Sequence, residues 1–429
     1  MNKALCCILL LCAAGPLAAA DAPRHLTLQQ AEQIALTQHP RISVANLTAL
    51  AAKESTRQAR SAFFPNVFGS VTAVGNTDPN DTRLGAGALN NPIIYEREAN
   101  GVTISQLITD FGRTWELTKS AKLRARSQEM NLEATREQIL LEVDSAYFSS
   151  LAAQSVLEVA QQTVKSRQSV LQQIQTLATN KLRSDLDVSF ASVDLDQAII
   201  LTAKATNDLK ASFAVLSTLL AEREPQTFTL AAVPMPPTIT NDVSALIQEA
   251  LSQRPDLARL RYERDAAKQF AQAERKLVYP SISAMGTAGI IPTGASQLPW
   301  DYAAAGVNMN VPLFAGGLYK ARRREAEYQA EAADETLRDE EDNIIRDVQI
   351  TKLNMEYAYQ RLALTLQLLQ NANQALQLAQ ARLQAGLGSI IELSQAELNQ
   401  TSAQIAATDE RYDYQSQHSA LDFQLGRLR

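Results

Sequence analysis

The chain has 429 residues, 46% hydrophobic and 20% charged, with 40 basic against 46 acidic side chains and a formal net charge of −6; its mean hydropathy is −0.16. That balance excludes a disordered tail and a polytopic bundle of membrane helices, and it offers no general attraction to nucleic acid. Ordinary globular domains scatter Gly and Pro at every turn, yet no proline occurs from 93 to 224 or after Pro312, and between Gly112 and Gly294 only Gly286 and Gly289 intervene. Long uninterrupted helices are the expectation.

Along the chain, Lys3, an apolar run over 4–14 and Ala18-Ala19-Ala20 before Asp21 read as a secretory signal peptide over 1–20, cleaved between Ala20 and Asp21. Cys6, Cys7 and Cys12 all lie inside it, so a mature chain without disulfides or thiol chemistry is expected. Leu11 stands where lipidation at Cys12 would need a small residue. A short amphipathic helix over 28–38 ends before Pro40, a second follows over 41–63, and Pro65 stops it. Residues 67–74, rich in β-branched side chains, read as a strand; polar Gly- and Asn-rich sequence fills 76–100, and a second strand covers 102–108. From 113 to about 180 runs one helical pattern, roughly 68 residues and so about 100 Å long. A tight break over 180–185 precedes a further helix to about 220, and 223–240, with Pro225, Pro234, Pro236 and Pro237, reads as a linker. The series then repeats: helices at 242–253 and 256–278, strands at 281–290 and 304–311, helices at 318–385 and 390–425.

The repetition is a tandem duplication. Ala35-Leu36-Thr37-Gln38-His39-Pro40 returns as Ala250-Leu251-Ser252-Gln253-Arg254-Pro255, an offset of 215 that also maps Phe64-Pro65 onto Tyr279-Pro280. Past a longer insertion in the first copy the offset becomes 205, pairing Gly101 with Gly306, Gly112 with Gly317, Leu182 with Leu387 and Leu220 with Leu425. The first repeat is 21–222 (β-hairpin about 65–110, helical hairpin 113–221) and the second is 241–429 (β-hairpin about 280–313, helical hairpin 318–426). Both long helices keep one heptad register: Ile139, Val143, Ala146, Ser150, Ala153, Leu157, Ala160 and Val164, matched by Ile344, Val348, Thr351, Met355, Ala358, Leu362, Thr365 and Leu369. Such spacing predicts coiled-coil packing.

Four short strands cannot close a barrel alone, and open edges are untenable in lipid. Three chains of four strands each would close a 12-stranded barrel. The predicted fold is therefore mainly α with a small β part: a duplicated unit forming a long α-helical coiled-coil barrel, continued by a β-barrel closed across three chains. At this point the chain resembles the TolC-type outer-membrane efflux proteins over nearly its whole mature length. The carrying residues are the paired openings Leu26-Thr27-Leu28…Ala35…His39-Pro40 and Ala250-Leu251…Arg254-Pro255, with the junctions Gln106-Leu107-Ile108-Thr109-Asp110-Phe111-Gly112-Arg113 and Val311-Pro312-Leu313-Phe314-Ala315-Gly316-Gly317.

The resemblance implies a homotrimeric exit duct in the outer membrane of a Gram-negative bacterium, its helical part in the periplasm, coupled to an inner-membrane pump through a periplasmic adaptor. It implies that the hairpin tips meet the adaptor, at Leu182, Arg183 and Ser184 and at Gly386, Leu387, Gly388 and Ser389. It also implies that Asp187 and Glu392, related by the 205 offset, narrow the tunnel as an acidic ring. Gln395 departs from the pattern where a second acid is common, and Leu383 and Gly388 stand in place of polar closing partners. Locally, Gly386 and Gly388 are expected to take φ > 0, and Ser184 and Ser389 to cap the returning helices. Trp115, Trp300 and Tyr302 are candidate membrane-interface anchors. Lys320, Arg322, Arg323 and Arg324 read either as a solvated helix face or as contacts to lipid phosphate.

No enzyme is expected: His25, His39 and His418 are scattered, and no nucleophile elbow, phosphate loop or zinc-protease spacing occurs. No cofactor, metal or nucleic acid is implied, and the methionines form no copper relay. The alternative is a periplasmic coiled-coil structural or interaction protein without a membrane barrel.

Overall fold

The computed structural model describes residues 24–75, 85–86, 89–90, 97–224, 226–238, 242–294 and 298–428. The signal peptide with its Ala20–Asp21 cleavage site, Pro225 and most of the 76–100 insertion lie outside them. In chain order the first repeat carries β1 (Arg24–Leu26), α1 (Leu28–Gln38), α2 (Pro40–Ser61), β2 (Asn66–Val74), β3 (Gly85–Ala86), β4 (Leu89–Asn90), β5 (Arg97–Thr109), α3 (Arg113–Thr179) and α4 (Asp185–Leu219). After β6 (Phe228–Leu230) the second carries α5 (Val243–Gln253), α6 (Pro255–Arg275) ending in a 3-10 turn (Lys276–Val278), β7 (Ser281–Gly294), β8 (Asp301–Asn310), α7 (Leu318–Gln384) and α8 (Ile390–Gln424). Both long helices have 67 residues and both returning helices 35. No helix among the described residues is long and apolar enough to cross a membrane.

The chain divides into two compact units. The first comprises β1, α1, the residues of α3 from Ile139 onward, α4, β6, the last part of α7 and most of α8. Here the heptad positions Ile139, Val143, Ala146, Ser150 and Ala160 are buried, as are Met355, Ala358 and Leu362. Segment 226–238 is more than a linker. β6 pairs in parallel with β1, aligning Leu26 with Leu230, and Phe213 meets Phe228 edge to face at 5.6 Å. The fully buried Tyr147 stands beneath this pair, its hydroxyl 2.9 Å from the Leu26 carbonyl and 2.8 Å from that of Ala231. Burial pushes its pKa up to about 12. Gln415 of α8 donates to the Val233 carbonyl at 3.0 Å, strapping the rest of the segment down.

The second unit holds α2, α5, α6, the sheet and the first parts of α3 and α7. Its helices approach closely over small side chains: Ala271, Ala326 and Ala330 form one buried cluster, and Ser120 of α3 donates to the Ala266 carbonyl of α6 at 2.8 Å. The antiparallel sheet has the order β2-β5-β7-β8. β7 continues past 290, where a strand end was expected, because Pro292 falls at the irregularity between Glu98 and Asn100 of β5, where the regular ladder is already interrupted. The expected helix over 256–278 gives way to a 3-10 turn after Arg275.

Candidate functional site

Two surfaces carry the candidate function. The first is the pair of hairpin tips. α3 stops through Lys181, a non-glycine residue at φ 58°, and α7 through Gly386 at φ 74°, the position related to it by the 205 offset. In both, the residue after the left-handed one donates back into the helix: Leu182 to the Leu177 carbonyl and Leu387 to the Arg382 carbonyl, each at 2.9 Å. Gly388, expected at positive φ, is not in that region; a Cβ there would lie 3.1 Å from both the Arg382 Cβ and the Leu383 nitrogen, so its glycine serves close approach. Ser184 and Ser389 cap as expected, accepting from the backbone N–H groups of Asp187 and Glu392, both at 3.2 Å. Leu182 and Leu387 are exposed.

The two acids are placed equivalently and used differently. Asp187 closes a capping box, its Oδ2 accepting from the Ser184 N–H and hydroxyl at 3.0 Å. Glu392 instead faces Arg382 at 3.5 Å, both side chains more than half exposed. Arg183 reaches across to the Leu383 carbonyl at 3.3 Å. Above the tips, Ile174, Ala191, Ile390 and Leu393 form an apolar cluster against which Leu383 packs. The leucine standing where a polar closing partner was sought is thus part of the helix–helix core.

Sequence reasoning missed a buried ion pair in the same helices. Arg167 of α3 (8% exposed) contacts Glu397 of α8 (3% exposed). Glu397 Oε1 has no hydrogen-bond donor among the described residues. Burial pulls the Arg167 pKa below its ordinary value, opposed by the Asp194 carboxylate, which accepts from Ser394 at 2.9 Å.

The second surface is the sheet, whose register sorts its side chains onto two faces. Val67, Val71 and Ala73 of β2 share one face with Val102 and Ile104 of β5, Gly286 and Ala288 of β7, and Ala303, Ala305 and Val307 of β8. The other face carries Ser70, Thr103, Ser105, Ser283, Thr287 and Asn308, with Thr103 donating to Thr287 at 3.2 Å. Val67, Val71, Val102, Ile104 and Val307 are all exposed. Ile108 sits in the bulge between Leu107 and Thr109, outside the regular alternation.

Of the three expected anchors, Trp115 and Trp300 are exposed at opposite ends of the strands, Trp115 in the first turn of α3 beneath Lys119 and Trp300 just before β8. Tyr302 differs. It pairs with Gly289, which pairs with Gly101, and its hydroxyl lies 2.2 Å and 2.5 Å from where a Cβ would stand on Gly101 and Gly289. Its ring therefore lies flat over both glycines on the hydroxyl-bearing face, not on the apolar face that an anchor requires. Strand parity would have shown this: Tyr302 alternates in phase with Ala304, Gly306 and Asn308. In the basic run, Arg322 is held by the buried Glu274 at 2.9 Å, and Arg323 by Glu327 at 2.9 Å.

The chain is 24% identical over 379 residues to the outer membrane protein TolC of Vibrio cholerae, covering 85% of this chain and 82% of that one. It is 23% identical over 345 residues to the alkaline protease secretion protein AprF of Pseudomonas aeruginosa (78% and 70% covered). The crystal structure of CusC superposes with a TM-score of 0.78 at 20% identity, covering 93% of this chain and 92% of that chain. The outer membrane efflux protein family model matches residues 31–222 and 246–427, two segments whose starts and ends are offset like the internal repeat, and the chain therefore belongs to this family of outer-membrane channels.

Proposed function

We propose that three copies of the chain form a passive exit duct through the outer membrane, serving a pump of the inner membrane through a periplasmic adaptor. The observation that carries this reading is the two-faced sheet, apolar on one side and hydroxyl-bearing on the other. It ends at β2 and β8, neither with a further partner among the described residues. Such edges are tolerated in lipid only by closure, and four strands from each of three chains give an even, common barrel size. Val67, Val71, Val102 and Val307 then face lipid, and the Thr103–Thr287 row faces the pore. Trp115 and Trp300 mark the two interfaces of the membrane band.

At the tips, the exposed Leu182 and Leu387 with Arg183, Ser184, Gly386, Gly388 and Ser389 form the surface offered to the adaptor. Asp187 and Glu392, repeated by threefold symmetry, supply an acidic ring that favours cations at the periplasmic mouth. The apolar cluster around Leu383 supports a mouth held by helix packing. A periplasmic rod without a barrel would have no use for the exposed valine face. Light scattering in detergent tests the assembly: a trimer is expected, and a monodisperse monomer with full β-content contradicts it.

A further inference from the structure

We propose that the groove between α6 and the first two turns of α7 binds the headgroup of an anionic glycerophospholipid in the membrane leaflet nearest the helices; this rests on the barrel reading above. The groove encloses about 290 Å³ and is lined by four cations, Arg275, Lys320, Arg323 and Arg324, against two carboxylates. Both carboxylates are occupied. Glu274, buried, takes Arg113 at 3.4 Å and Arg322 at 2.9 Å. Glu327 takes Arg275 at 2.8 Å and Arg323 at 2.9 Å, and those two guanidinium hydrogen bonds hold its pKa below the ordinary carboxylate value. Lys320 and Arg324 are left over. They stand four residues apart on one face of α7, exposed, and have no acidic partner among the described residues.

The apolar surroundings narrow the anion to a lipid. Val278, 57% exposed, lines the same groove. Tyr279 follows it in the chain, and Leu313 (92% exposed) and Phe314 (90%) lie in the short link from β8 to α7. β7 begins at Ser281 beside the last residue of β8, Asn310, so the groove belongs to the helical end of the sheet. Unpaired cations beside exposed aliphatic and aromatic side chains, where strands leave the membrane, suit a phosphodiester joined to acyl chains. A free anion would leave the apolar part bare.

The test uses the full chain purified in detergent, titrated with phosphatidylglycerol or phosphatidylcholine and read by native mass spectrometry. Phosphatidylglycerol should be retained preferentially, and Lys320→Gln/Arg324→Gln should weaken its retention about 30-fold. Arg338→Gln, farther along α7 and paired with Glu335, should leave it unchanged. Equal retention of the two lipids, unaltered preference in the double variant, or displacement by millimolar inorganic phosphate would overturn the site. A carbonate wash of the membranes separates the two readings. Protein that stays in the pellet yet shows no lipid preference refutes only the groove, whereas release without detergent refutes the barrel and the groove with it.

Discussion

Arg167→Leu removes the cation from a carboxylate that has almost no access to water. Glu397 is 3% exposed and one of its oxygens already lacks a donor, and breaking one side of a buried pair costs about 3–5 kcal/mol. Protonation limits that loss. Raising a carboxyl from its free pKa of about 4.3 until it is neutral costs about 3.7 kcal/mol at pH 7 and about 1 kcal/mol at pH 5. The folded-state pKa of Glu397 in the variant therefore rises above the unfolded value. The variant regains stability as pH falls toward the unfolded value and is weakest above the folded one. Arg167→Leu/Glu397→Leu strands no fully buried charge, since Asp194 is only half-buried and keeps its hydrogen bond from Ser394, and it should stay within about 1–2 kcal/mol of the parent at both pH values. Hydrogen exchange of the α3 and α8 amides around these residues, corrected for intrinsic rates, reads the local opening energy directly. Protection in Arg167→Leu equal to the parent at pH 7, or a double variant no better than the single, would show that Glu397 is not held by Arg167.

Tyr147→Phe leaves the Ala231 carbonyl without the hydroxyl and should cost about 1–3 kcal/mol in denaturant unfolding, independent of pH from 5 to 9. Gly386→Ala must place a side chain at φ 74° and should cost about 1–2 kcal/mol locally, seen as faster exchange at the tip. Gly101→Ala should lower the yield of trimer in detergent by collision with Tyr302, and Tyr302→Ala should restore part of it. Asp187→Asn with Glu392→Gln keeps an acceptor for Ser184, so single channels in a planar bilayer should lose cation selectivity while opening at the same frequency.

Most of the helical frame was legible because duplication and a heptad register are long-range regularities that every residue reinforces. The left-handed turn at Gly386 was legible from residue type, whereas the same turn at Lys181 was not, since lysine carries no such signal. The β1–β6 pair escaped because three-residue strands have no periodicity, and their partners lie far apart in the chain. The repeat itself concealed the Arg167–Glu397 pair. At the 205 offset those positions hold Ala372 and Ser192, so the internal comparison that exposed the fold held no matching signal for either charge. Tyr302 is placed by strand parity and not by its amphipathic character, since it alternates in phase with Ala304, Gly306 and Asn308 on the hydroxyl-bearing face. The carboxylate roles at the tips depend on which neighbour each side chain finds, Ser184 for Asp187 and Arg382 for Glu392, and that is a tertiary fact.

In the trimeric duct, β2 lies in a membrane wall with one face in lipid and the other in water. Single cysteines placed in turn from Asn66 to Val74 and spin-labelled in proteoliposomes test it by collision with oxygen and with a water-soluble nickel chelate. Oxygen access should peak at 67, 69, 71 and 73, and nickel access at 66, 68, 70, 72 and 74, a period of two through the strand. Uniform access to nickel along all nine positions would contradict the barrel.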